Sequence, residues 1–100
     1  MKLNGIEVPD ERIADYCQRN QIRELSVFGS VVRGGLRADS DIDLLVVFEP
    51  DAVIGFLALG RIQRELSAII GRNVDLVLKD GLKPLIRDEV ISSSRTLYAA

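Results

Sequence analysis

The segment Ser40-Asp41-Ile42-Asp43-Leu44-Leu45-Val46-Val47-Phe48 sets two acids at the head of an unbroken apolar run. Residues 42–48 are rich in β-branched and aliphatic side chains, and Pro50 follows, so the run reads as one strand. Side chains two apart on a strand share a face and stand ~7 Å apart along it. Asp41 and Asp43 are therefore expected on one face. Two carboxylates so placed repel each other, and burying them unpaired is costly. A solvated strand end relieves the repulsion. A divalent cation does so too, and Mg²⁺ favours a few carboxylate oxygens together with water and substrate phosphates.

On either side of this run lie two further strand patterns, over residues 22–28 and 74–78. The second, Val74-Asp75-Leu76-Val77-Leu78, carries another lone acid. If it neighbours 42–48, Asp75 joins the other two carboxylates. Three carboxylates on adjacent strands can hold two metals about 3.5–4 Å apart, the arrangement used for in-line phosphoryl displacement. One of them can also take the proton from an attacking hydroxyl. Alternatively, Asp75 is an edge-strand acid or a partner for Arg72. Gly29-Ser30 ends the first strand, and a short helix is expected over 31–33. Glycine permits close backbone approach, and the amides that follow can face an anion. Ser30 adds a hydroxyl donor, and Arg33 lies about one turn further on. An ordinary strand ending would look the same in isolation. Two look-alikes fail. Gly29-x4-Gly34 lacks the P-loop Lys, since Gly35-Leu36 follows. Asp39-x-Asp41-x-Asp43 lacks the EF-hand glycine and final Glu, replaced by Leu44 and Pro50.

Helices fill the intervals. Pro9-Asp10-Glu11 marks a helix start, and Ile13, Tyr16 and Cys17 fall on one face, predicting a helix over 10–20 with Cys17 in the core. Residues 51–70 read as the longest helix, with Leu59, Ile62, Leu66, Ile69 and Ile70 as its stripe and Gly71 as its C-cap. Its start, with Val53, Ile54, Phe56 and Leu57, is apolar on more than one face. It is either buried between neighbours or an interface. Arg61, Arg64 and Arg72 read as a solvated face. Pro84 opens a helix over 84–91. Ser92-Ser93-Ser94-Arg95 reads as a flexible turn, and Leu97-Tyr98 as a last short strand or a packed tail. The pattern predicts a small mixed β-sheet with helices packed on it, of the α/β (α+β) class, in a single domain over 1–100. Strand order is not set by it.

Composition narrows the chemistry. The 100 residues are 47% hydrophobic and 28% charged, which argues against disorder. The net charge of -2 lacks the basic excess of a general nucleic-acid coat, so direct DNA binding is not expected. No apolar stretch approaches a membrane span, and residues 1–10 do not resemble a signal peptide, so a cytoplasmic chain is expected. One cysteine cannot close an intrachain disulfide. Zero histidines exclude Ser-His-Asp and Cys-His hydrolases and His-ligated metals. Carboxylates, hydroxyls, Arg, Lys and backbone amides remain. Apart from Asp41, Asp43 and Asp75, 12 acids face 13 bases, so the near-neutral total conceals a local acidic cluster.

Gly29-Ser30-Val31-Val32-Arg33-Gly34, then Ser40-Asp41-Ile42-Asp43-Leu44-Leu45-Val46, then Val74-Asp75-Leu76-Val77 together resemble the nucleotidyltransferase fold of the DNA polymerase β superfamily. The match spans residues 22–78, more weakly onward to Tyr98. The short chain is similar to the minimal, MNT-type branch. The resemblance implies transfer of a nucleoside monophosphate from an NTP, with ATP expected, to a hydroxyl, releasing pyrophosphate. It implies that Asp41, Asp43 and Asp75 bind Mg²⁺, two ions being expected, and that Asp75 helps deprotonate the acceptor. It further implies that Gly29, Ser30 and Arg33 hold the β and γ phosphates. Minimal members commonly act as antitoxins that adenylylate a HEPN-type ribonuclease toxin, which makes such a toxin the expected partner. The alternatives are a non-catalytic binding antitoxin and an enzyme acting on a small-molecule hydroxyl. A homo-oligomer is also compatible with the length.

Overall fold

Alternating burial along three central strands organises the chain. The computed structural model describes residues 1–3, 5–29, 32, 34 and 41–100. A hairpin of β1 (Lys2–Leu3) and β2 (Ile6–Glu7) leads into α1 (Asp10–Arg19) and β3 (Ile22–Phe28). Then come β4 (Ile42–Phe48), α2 (Phe56–Ile70), β5 (Val74–Leu78), a 3₁₀ turn (Lys79–Gly81), α3 (Pro84–Ser93) and β6 (Arg95–Ala99). Of the expected helix over 31–33 only Val32 is among the described residues, and it is helical, its N–H bonding the Gly29 carbonyl at 3.1 Å.

The four-stranded sheet has the order β5-β4-β3-β6. β4 pairs parallel with β5 and antiparallel with β3, and β3 pairs antiparallel with β6. The sheet is therefore mixed, as the interleaved strands and helices predict. Ile42, Leu44 and Val46 point to one face and join Ile13, Cys17, Ile62 and Leu66 in a continuous core. α1 packs on β3 and β6, and α2 on β5 and α1. Each side chain fully buried there contributes about 1.5–3 kcal/mol of transfer free energy. Leu45 is also buried but stands outside that core, so the second face is covered over its middle. α3, which packs against β3, runs from the end of β5 to the start of β6. Asp43 and Asp75 occupy the same alternation as Leu45 and lie at one end of this second face.

Cys17 is fully buried, as its place on the helix stripe predicts, and burial pushes its thiol up to about 12. Two boundaries and one added element differ from the sequence reading. The long helix begins at Phe56, not 51, because Gly55 is extended at its N-cap and the 3.6-residue stripe starts only beyond it. Upstream, Ala52 N–H bonds Glu49 carbonyl in a turn. Ser92 and Ser93 continue α3, their hydroxyls donating to the Glu89 carbonyl, and Ser94 ends it. The N-terminal hairpin is an addition. Its sequence signal is the Asn4-Gly5 pair, the common two-residue hairpin loop, and Gly5 has φ +87°.

The start of α2 is open rather than covered. Val53, Phe56 and Leu57 are 93%, 88% and 85% exposed, as is Leu85 of α3 at 98%. At the sheet's outer edge, α2 instead closes β5. Ser67 Oγ accepts from Val74 N–H at 3.0 Å, and Gln63 Oε1 accepts from Leu76 N–H at 3.0 Å.

Candidate active site

Register builds the acidic row. In the antiparallel β3–β4 ladder Phe28 stands opposite Asp43, and in the parallel β4–β5 ladder Asp43 stands opposite Asp75. Adjacent strands lie about 4.8 Å apart, so Asp43 and Asp75 are side-by-side neighbours on one face. Gly29 follows Phe28 directly and has φ +81°. A Cβ at Gly29 would lie 2.5 Å from Asp43 Oδ2. Only glycine lets the end of β3 approach the carboxylate this closely.

Asp41 stands one residue before β4, at the same end of the sheet. It lines a cleft of about 340 Å³ with Gln63, Arg64, Ser67, Asn73 and Val74. Ile42 N–H donates to Asn73 carbonyl at 2.8 Å and ties the two strand starts together. The structure thus pairs Asp43 with Asp75, brings Gly29 against Asp43, and sets Asp41 in the adjoining cleft. Among the described residues no three His, Cys, Asp or Glu side chains are gathered tightly enough to hold an ion as they stand. Ser30 and Arg33 lie outside the described residues. Gln63 and Ser67 escape a sequence reading, because polar residues at i and i+4 of a helix ordinarily face water.

A groove of about 550 Å³ lies elsewhere, between α1 and α2. There Tyr16 Oη donates to Glu65 Oε1 at 2.7 Å, and Arg61 Nη1 pairs with the same oxygen at 2.6 Å. The Tyr16 bond joins the two helices, whereas Arg61 is exposed, as a solvated face predicts, and its pair with Glu65 lies within α2. Burial, then the hydrogen bond to Glu65, raises the Tyr16 phenol above its ordinary 10.0. That hydrogen bond, partly opposed by desolvation and aided by Arg61, lowers the Glu65 carboxyl. A raised phenol contributes stability that is complete below pH 10 and falls as pH rises beyond it. A lowered carboxyl contributes stability that is lost as pH falls below its ordinary 4.5. Tyr16→Phe should therefore cost about 1 kcal/mol at neutral pH. It should also flatten the decline above pH 10. Urea unfolding across pH measures both, and an alkaline limb as steep as wild type would contradict the assignment.

The mixed sheet agrees with what the comparisons show. The polymerase β nucleotidyltransferase family matches residues 11–100. The chain belongs to that family. It is 42% identical over 74 residues to the protein adenylyltransferase MntA of Thermococcus cleftensis, covering 74% of this chain and 73% of the relative. A solved structure assigned as a minimal nucleotidyltransferase is 38% identical, with a TM-score of 0.70 and 85% of each chain covered. A toxin-antitoxin structure with AMP-PNP shares the fold at 20% identity, with a TM-score of 0.73 over 92% of this chain and 74% of that one. The chain is thus a nucleotidyltransferase similar to the minimal members of its family. Among the described residues no helix is long and apolar enough to cross a membrane.

Proposed function

We propose that the chain transfers AMP from ATP to a hydroxyl of a protein, as the antitoxin that adenylylates a HEPN-type ribonuclease toxin. The observation that carries the reading is the register pairing of Asp43 with Asp75 beside Gly29. The likeness to MntA supports protein as the acceptor class. A relative solved as a tri-AMPylated HEPN toxin with its MNT antitoxin supports the partner, at the level of fold. Exposed Val53, Phe56, Leu57 and Leu85 suit a chain that works against another protein.

Carboxylate oxygens are hard donors, so the residues present fit Mg²⁺ by their chemistry. Asp43 and Asp75, with Asp41 from the adjoining cleft, are the residues that would hold it. When bound, the metal supplies positive charge against the triphosphate. The chain's own residues do the rest. Gly29, with Ser30 and Arg33, receives the β and γ phosphates. Asp75 takes the proton from the acceptor hydroxyl as its oxygen bonds to the α-phosphorus. The bond from that phosphorus to the bridging oxygen breaks, and pyrophosphate leaves with the electron pair.

Mixing the protein with α-labelled ATP, Mg²⁺ and a HEPN-type ribonuclease should place label on the ribonuclease. The reading fails if no label enters it, or if transfer survives Asp41→Ala combined with Asp43→Ala.

A further inference from the structure

We propose that Gln63 and Ser67 are positioning residues that fix Asp75 in register with Asp43 by clamping β5 from its outer edge. The proposal rests on the reading of Asp75 as a metal ligand. Asn73 carbonyl bonds Ile42 N–H, so the backbone of residues 73 and 75 faces β4 and that of 74 and 76 faces outward. On an edge strand those outward N–H groups would ordinarily meet water or another chain. Here both are taken by side chains of α2, Val74 by Ser67 Oγ and Leu76 by Gln63 Oε1. The two bonds bracket Asp75.

The spacing makes the clamp possible. Residues i and i+4 of a helix lie on one face, about 6 Å apart along its axis. Residues i and i+2 of a strand are about 6.6 Å apart. Gln63 and Ser67 therefore match Leu76 and Val74, with the helix running opposite to the strand. Ser67 Oγ also donates to Gln63 carbonyl at 2.8 Å, which spends its proton and leaves its lone pairs for Val74 N–H. Both side chains line the cleft that holds Asp41, so the clamp borders the acidic row. Edge protection alone has no need to bracket Asp75. A sliding or fraying β5 would carry Asp75 away from Asp43, and outer-shell partners of metal ligands typically carry 10–100-fold in metal affinity.

The test uses Mn²⁺ with a non-hydrolysable ATP analogue, read by electron paramagnetic resonance, together with amide hydrogen exchange without metal. Gln63→Met keeps the side chain's length and removes the acceptor. It should speed exchange at Leu76 and weaken Mn²⁺ binding about tenfold. Ser67→Ala should do the same through Val74, whereas Ser67→Thr, which keeps the hydroxyl, should bind Mn²⁺ nearly as wild type. Faster exchange with unchanged Mn²⁺ affinity overturns the proposal, as does unchanged exchange or equal loss in Ser67→Thr. Wild-type protein that binds no Mn²⁺ also overturns it. Wild-type protein that binds Mn²⁺ but labels no partner overturns only the proposed acceptor, because the binding and exchange measurements stand without transfer.

Discussion

Asp43→Asn should lower the rate of nucleotidyl transfer on the order of 10³-fold, with only a small change in the stability of the folded state. The loss should exceed the 10–100-fold typical of outer-shell partners, because a metal ligand itself is replaced. Asparagine keeps the shape of the side chain and one acceptor oxygen. It removes the negative charge that faces Asp75 across the β4–β5 ladder, and like charges directly opposite on neighbouring strands destabilise a sheet. Activity and stability should therefore move apart, as they do where a site holds repulsion for its chemistry. Single-turnover transfer with saturating ATP, beside thermal unfolding of the same protein, measures both. Transfer within tenfold of wild type would remove Asp43 from the metal site. A large drop in melting temperature would mean that the carboxylate serves the fold instead.

The parts legible in the sequence were those governed by short periods. β3, β4 and β5 fall where the apolar runs place them, and Ile13, Tyr16 and Cys17 turn inward as their spacing requires. The pairing of Asp43 with Asp75 was legible only as a condition, that 74–78 neighbours 42–48, because register is a relation between strands 32 residues apart in the chain. Either carboxylate alone looks like a solvated strand end. Gln63 and Ser67 were hidden for the opposite reason. They sit on the flank of an amphipathic helix, where polar residues need no explanation until the edge strand beneath them is seen. At α2 the apolar composition of Val53 and Ile54 imitated a helix, although both precede the glycine that starts it.

Gly29→Ala should reduce transfer about 100-fold, at a stability cost of only about 1–2 kcal/mol. Alanine in the left-handed region costs about that much by itself. Its Cβ would also fall 2.5 Å from Asp43 Oδ2, closer than any stable contact. The atom it meets is the end of a side chain, not backbone, so the fold relieves the clash cheaply by turning the Asp43 carboxylate aside. The site has no such freedom, since displacing a reacting group by ~1 Å can cost about 10²-fold in rate. Gly71 separates the two effects. Its φ is +80°, nearly that of Gly29, but a Cβ there meets nothing within 4 Å. It caps α2 far from the Gly29–Asp43 contact in sequence, and its N–H bonds Ser67 carbonyl without involving the acid row. Gly71→Ala should therefore lose similar stability and retain transfer. Equal activities in the two variants would mean that backbone strain explains everything and that the approach of Gly29 to Asp43 carries no catalytic weight. Selective loss in Gly29→Ala would show that this glycine is kept for the carboxylate it touches, more than for the turn it makes.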